Sequence, residues 1–241
     1  MRDLIEAVWY PNRIRESVGS KSPGRFYYFL RRACRGIFAC TMRVKAHGLE
    51  HLAGEGAMLV AVSHVGHLDP IVVSALAQRG IGWVSRIEFY RWWPMRVILY
   101  LGGAFAVDRQ GAALPTIREG LRRLARGDVV GIFPEGEMMS GSQSVLRGAQ
   151  VKRGVCILAA RSGCPVVPVV LLGAERLQEV GPWLPAKRGR LWIWVGEPMH
   201  ATEEAATKPG RDEFAARLEA EYVRLFKEAR EVFGLEDSIV P

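Results

Sequence analysis

The sequence predicts an α/β fold with a mixed, largely buried central sheet flanked by helices. Three observations carry this. A chain of 241 residues, 49 % hydrophobic and 24 % charged, is long enough to bury a full core and too short to need two large domains. Beyond residue 43, strand-like runs alternate with runs of helical period. Several of the strand-like runs, AMLVAV, VVGIF and PVVPVVLL among them, are apolar throughout, the pattern of strands covered on both faces.

Taken in order, VKAHGL (44–49) and AMLVAV (57–62) read as short strands around the turn-prone AGEG. Asp69 followed by Pro70 reads as the N-cap and first position of a helix over PIVVSALAQR, ended by Gly80. His64 then lies in the loop leaving the carboxyl end of a strand, where open α/β sheets bind ligands. WWPMRVILYLGGAFAV reads as a short helix broken at Gly102 and Gly103, then a strand ending at Asp108 and Arg109. PTIREGLRRLARG is a marked helix, with Pro115 at its start, Ile117, Leu121 and Leu124 on one face and Gly127 past its end. VVGIF is a buried-type strand that runs straight into PEGE. KRGVCILAARSG is a helix closed by Gly163, PVVPVVLL a buried strand, and LWIWVG the last clear strand. Asp212 to Phe233 reads as an amphipathic helix with Phe214, Leu218, Tyr222, Leu225, Ala229 and Val232 along one stripe. Leu184 to Arg190 and Thr202 to Arg211 read as loops.

The chain divides at residue 43. Residues 1–43 form a basic, aromatic helical segment and 44–241 the α/β domain. The formal net charge is +8, and residues 11 to 50 alone hold nine Lys or Arg against Glu16 and Glu50, so the basic character belongs to this end. In RFYYFLRRACRGIFACTMRV the aromatic and aliphatic residues mix with arginines. Two uses fit such a helix: lying on an anionic membrane surface, rings at headgroup depth, or packing on the core with a solvated basic face. No nucleic-acid motif accompanies the charge, so no nucleic-acid partner is expected. No run reaches the roughly 18 uncharged apolar residues of a spanning helix. The charged start MRDLIEAVWYPNR lacks a signal core, and Cys34, Cys40, Cys156 and Cys164 form no CxxC pair. A cytosolic chain with reduced cysteines is expected, and, where the basic helix lies on lipid, a peripheral one on the cytoplasmic face of the cell membrane.

Chemistry concentrates in two strand-end loops. In VSHVGHLDP, His64 is a residue that takes a proton near neutral pH, and a carboxylate such as Asp69 on its other nitrogen would fix the tautomer and stabilise the imidazolium. The same stretch offers His64, His67 and Asp69 to a metal, which would make a metal-dependent hydrolase. However, HxxH in a loop lacks the helical spacing of HExxH, and no third cluster follows. In FPEGE, Pro134 and Gly136 flank Glu135 and imply a sharp turn that aims it from the strand end. Arg109, Lys152 and Arg153 are candidate phosphate contacts. No GxSxG elbow, nucleophile cysteine or nucleotide loop is present, so covalent catalysis and a bound cofactor are not expected. A catalytically silent lipid-binding protein is the reading from a different class.

Read together and in order, these pieces resemble the glycerolipid acyltransferase family, whose best-known members acylate lysophosphatidate. The family block NHxSxxD is matched by Ser63, His64 and Asp69 in SHVGHLD, a glycine, apolar and arginine block by GGAFAVDR, and FPEGTRS by Phe133, Pro134, Glu135 and Gly136. VKRGVCILAARSGCPVVPV resembles the family's lysine- and glycine-led helix and its fourth block, with Pro168 at the centre. The match spans roughly residues 44 to 173 and is collinear. It implies a glycerol-3-phosphate acyltransferase-like fold, with His64 the base that deprotonates the acceptor hydroxyl and Asp69 its orienting partner. Arg109, Glu135, Gly136 and Lys152 would hold the acceptor, and acyl-CoA or acyl carrier protein would donate. The chain departs from the pattern at Ser63 and Gly66, where Asn and Ser are common, and at Glu137 and Met138, where Thr and a phosphate-binding Arg are usual. Losing that arginine removes a charge-assisted contact of about 1.5 to 3 kcal/mol. A non-phosphate acceptor such as a lyso-aminolipid is therefore the second expectation.

Overall fold

The computed structural model of the chain describes residues 23–107, 114–174 and 189–235. Helix α1 (Arg25–Thr41) leads directly into β1 (Met42–His47), followed by β2 (Met58–Val62), α2 (Asp69–Leu76) and β3 (Ile81–Arg86). After a 3-10 turn at Ile87–Arg91 come α3 (Trp93–Leu101), β4 (Phe105–Val107), α4 (Leu114–Ala125) and β5 (Val129–Ile132). The chain continues through α5 (Arg153–Ser162), β6 (Val166–Leu172), β7 (Gly189–Val195) and α6 (Lys208–Phe233).

The seven strands form one sheet in the order β1-β7-β6-β2-β5-β3-β4. Strands β2 to β6 run parallel, while β7 pairs antiparallel with β6 and carries β1 parallel beside it. The sheet is thus mixed, as expected, and the carboxyl ends of β2, β5, β3 and β6 share one edge. Strands β1 and β2, consecutive in sequence, are separated by β7 and β6.

Period-two alternation divides the core between the two faces. Val60 and Val62 face a cluster with Phe38 of α1, Val72, Val73 and Ala75 of α2 and Leu99 of α3. Leu59 and Ala61 face Leu124 of α4, Val155 and Leu158 of α5 and Phe214, Leu218 and Leu225 of α6. Helices α1–α3 therefore cover one face and α4–α6 the other. At Gly131 a Cβ would lie 2.5 Å from the Trp83 ring, so the glycine in VVGIF lets that indole lie across its neighbouring strand.

Several expectations need correction. The helix read as starting at an Asp69 cap has Leu68 as its N-cap residue, and Asp69 is already helical. Its side chain turns back to the preceding turn instead of capping. That helix also stops at Leu76, where Ala77 becomes extended, well short of Gly80. The sequence pattern does not single out β3, whose buried run is cut by glycine, serine and arginine. Thr202 to Arg211 is not a loop throughout: Glu203–Ala206 is a 3-10 turn, and α6 starts at Lys208, its Thr207 side chain accepting from the Gly210 amide at 3.2 Å. Of Leu184 to Arg190, Gly189 and Arg190 already belong to β7, paired with Met42 and Arg43. All four cysteines are free.

Helix α1 packs on the core through one face and keeps a second face exposed. Tyr27 and Phe38 are buried, with the Tyr27 hydroxyl accepting from the Ile81 amide at 3.0 Å, and Arg31 donates to the Ala77 and Gln78 carbonyls at the end of α2. Phe26, Phe29 and Ile37, at spacings of three and eight, form a separate exposed stripe flanked by exposed Arg25 and Arg32. No helix among the described residues is long and apolar enough to cross a membrane.

Candidate active site

Strand β2 runs into the histidine stretch through Ser63, which is fully buried. Its amide donates to the Val169 carbonyl and its hydroxyl accepts from the Leu171 amide at 3.1 Å, extending the pairing with β6 by one step. The chain then turns. Asp69, fully buried at the start of α2, receives the Val65 and Gly66 amides on one oxygen, each at 2.8 Å, and the same Oδ2 lies 2.9 Å from His64 Nδ1. The carboxylate thus builds the turn and aims the ring. It also directs Nδ1 inward, leaving Nε2 as the nitrogen open to a substrate, and the His64 side chain keeps 17 % exposure. Burial pushes the Asp69 carboxyl above the ordinary carboxylate value, opposed by the His64 hydrogen bond and charge and the two amides. Its Oδ1 has no hydrogen-bond partner among the described residues.

The second loop braces the first. Glu135, 2 % exposed, accepts from the His64 amide at 2.6 Å through Oε2, and through Oε1 from the Ser144 hydroxyl at 2.9 Å and the Val145 amide at 3.0 Å. Burial raises its pKa and these three donors pull the other way. The Met139 amide donates to the His64 carbonyl at 3.2 Å, so both sides of the His64 peptide are held by the β5 loop. Phe133 stacks on the His64 ring, centroids 3.9 Å apart, and on Trp83 at 5.2 Å; Trp83 donates to Ser74 at 2.8 Å. Hydrogen bonds fix the position of the imidazole and the stack fixes its plane.

Gly136 has φ +76°, a conformation that L side chains resist, and a Cβ there would lie 3.4 Å from the Lys152 stem. Lys152 itself caps α5, with its amide donating to the Pro134 carbonyl at 2.7 Å and its side chain exposed. Beside Glu135 opens a cleft of about 360 Å³ lined by Met139, Ser142, Gln143, Gln150 and Lys152. Met138 is 37 % exposed. The structure therefore brings His64, Asp69, Glu135, Gly136 and Lys152 to one edge, while Arg109 lies outside the described residues. Glu135 points into the protein fabric with every oxygen used. His67 is exposed, and among the described residues no three His, Cys, Asp or Glu gather to hold a metal.

Ser144, Val145 and Tyr222 are the participants that the sequence does not announce. Tyr222, fully buried on α6, donates to the Ala61 carbonyl at 2.7 Å, two residues before Ser63, and burial holds its phenol well above the usual value. A hydroxyl-bearing residue in an otherwise wholly apolar helical stripe was the available signal.

The Acyltransferase family model matches residues 43–172, and the chain belongs to that family and is an O-acyltransferase. It is 27 % identical over 195 residues to the 1-acyl-sn-glycerol-3-phosphate acyltransferase of Bacillus subtilis, covering 80 % of this chain and 92 % of that one. It is 24 % identical over 202 residues to the enzyme of the same name from Helicobacter pylori, covering 82 % and 81 %. The crystal structure of the 1-acyl-sn-glycerophosphate acyltransferase from Thermotoga maritima has the same fold, with a TM-score of 0.55, 90 % coverage of both chains and 16 % identity.

Proposed function

We propose that this chain transfers a fatty acyl group from acyl-CoA or acyl-ACP to the hydroxyl of a lysophospholipid, with lysophosphatidate giving phosphatidate. The observation that carries the reading is the 2.9 Å contact of His64 Nδ1 with a buried Asp69, which leaves Nε2 facing outward. Nε2 takes the proton of the acceptor hydroxyl as its oxygen attacks the thioester carbonyl. The tetrahedral adduct collapses, the C–S bond breaks, and the thiolate leaves carrying the electron pair and takes the proton from the His64 imidazolium, which returns the histidine to its neutral form. Asp69 stabilises the imidazolium throughout. A thiolate is a good enough leaving group that the direct transfer needs no covalent intermediate or resident cofactor. The cleft beside Lys152 supports an acceptor head group held there, and the family resemblance adds Arg109 to that role. The names of the Bacillus and Helicobacter relatives support lysophosphatidate as acceptor.

The outer stripe of α1, with Phe26, Phe29 and Ile37 flanked by arginines, attaches the enzyme peripherally to an anionic membrane surface, where acceptor and product reside. A second reading, acylation of a lyso-aminolipid, is favoured by Met138 in place of arginine and by the neutral polar lining of Ser142, Gln143 and Gln150.

The test is thiol release from palmitoyl-CoA in mixed micelles. Release requiring both lysophosphatidate and His64 is expected. Acceptor-independent release would make the protein a thioesterase and remove the reading, and release with lyso-aminolipid alone would select the second one.

A further inference from the structure

We infer that a second lipid contact, made by Phe89, Trp92, Trp93 and Ile98, holds the catalytic edge of the sheet itself against an anionic bilayer. The inference rests on the membrane-lipid reading above and adds where the bilayer meets the protein. These four side chains are 43 %, 55 %, 63 % and 41 % exposed, and they cluster within ten residues of chain. Two indoles side by side at the surface are costly in water. They suit the headgroup region, where an apolar ring and a polar N–H are both satisfied.

Topology decides where this surface lies. Strands β2, β5 and β3 are adjacent and parallel, so the turn leaving β3 stands on the same edge as the His64 loop leaving β2, two strand spacings or about 10 Å away. Helix α3 starts at that edge, with Trp93 as its first residue, and runs back along the sheet to reach β4, parallel to β3. Trp92 and Trp93 therefore stand at the catalytic rim, and Ile98 lies on the flank below them. That flank belongs to the layer that also holds α1. The far end of α3 meets the start of α1, where a Cβ on Gly103 would lie 3.2 Å from the Pro23 nitrogen. The outer stripe of α1 and the aromatic rim thus belong to one side of the molecule.

Charge selects the occupant. Arg86 and Arg91 are both exposed beside the aromatic residues; Arg86 lies over the Phe89 ring at 5.9 Å and pairs with Glu88 at 3.5 Å, so the three side chains leave one net positive charge at the rim. Arginines around tryptophans match lipid phosphates at the depth where indoles settle. An acceptor lipid leaving the bilayer at this rim needs to travel only the width of two strands to reach His64 Nε2, its acyl chain still in the membrane.

The experiment compares the full chain with Trp92→Ala/Trp93→Ala on vesicles of phosphatidylglycerol and phosphatidylethanolamine. Sedimentation reads affinity, and tryptophan quenching by lipids brominated along the acyl chain reads depth. The double variant is expected to bind about tenfold or more weaker, to lose most of the quenching, and to acylate a short-chain, monomeric lysolipid at the wild-type rate. Unchanged affinity and unchanged quenching overturn the inference. So does a sedimentation-velocity shift showing that the two tryptophans instead join two copies of the chain. If the wild type shows tryptophan-dependent vesicle binding yet acylates no lysolipid, the proposed reaction fails while the docking surface stands.

Discussion

The two helical layers finish differently. On the α4–α6 side, outward charges pair along the helices: Arg224 with Glu221 and Glu228 at 2.6 and 2.5 Å, and Arg122 with Glu119. The exposed large apolar residues of that side, Leu114, Val223 and Val232, include no aromatic. On the α1–α3 side, Phe26, Phe29, Trp92 and Trp93 face outward beside arginines. One layer is made for water, and the other carries apolar surface that a soluble monomer rarely exposes in patches. The candidate site lies at the carboxyl edge of the sheet, between the two layers.

That contrast can be broken most forcefully at the dyad. His64→Ala is expected to lower kcat/KM by about 10²- to 10⁴-fold while leaving vesicle binding intact, which separates chemistry from docking. Next is the brace between the loops. Glu135→Ala strands the His64 amide, the Ser144 hydroxyl and the Val145 amide together. A stability loss of about 3 kcal/mol is expected in denaturant titration, with activity lost in parallel. A surviving Tm with activity gone would assign Glu135 to the acceptor instead.

The layers themselves are compared by matched pairs. Phe26→Ser/Phe29→Ser is expected to weaken vesicle affinity about tenfold, and Val223→Ser/Val232→Ser on the opposite layer to leave it unchanged. Equal effects would remove the distinction. Tyr222→Phe deprives the Ala61 carbonyl of its donor and should cost about 1 kcal/mol by thermal melting.

The smallest expected effect is on pH dependence. Burial raises the Glu135 carboxyl in the folded state, so the native protein binds more protons than the unfolded chain between the ordinary carboxylate value and the raised one. Stability from this group therefore grows as pH falls through that window. The advantage of wild type over Glu135→Gln in melting temperature should widen there, and a gap that narrows would mean that the carboxyl is not raised.

Much of this was legible in the sequence because apolar runs bounded by glycine mark buried strands well. VVGIF, PVVPVVLL and LWIWVG all became strands, and His64 and Asp69 met as their chemistry anticipated. Strand β3 was not legible, since Gly82, Ser85 and Arg86 break its pattern while its burial comes from neighbours distant in sequence. The start of α6 was missed because Pro209 and Gly210 read as loop residues, although Thr207 caps there. Glu135 shows the deeper limit. A turn motif tells that a carboxylate is aimed, but only the fold tells that its targets are the His64 amide and Ser144, not open space.

The position of β1 bears on the order in which the molecule can be assembled. Among the described residues, Met42 to His47 pair with no strand but β7, starting at Gly189. Strand β1 is made well before β7, so it waits for its sheet partner until β2 to β6 have all been made.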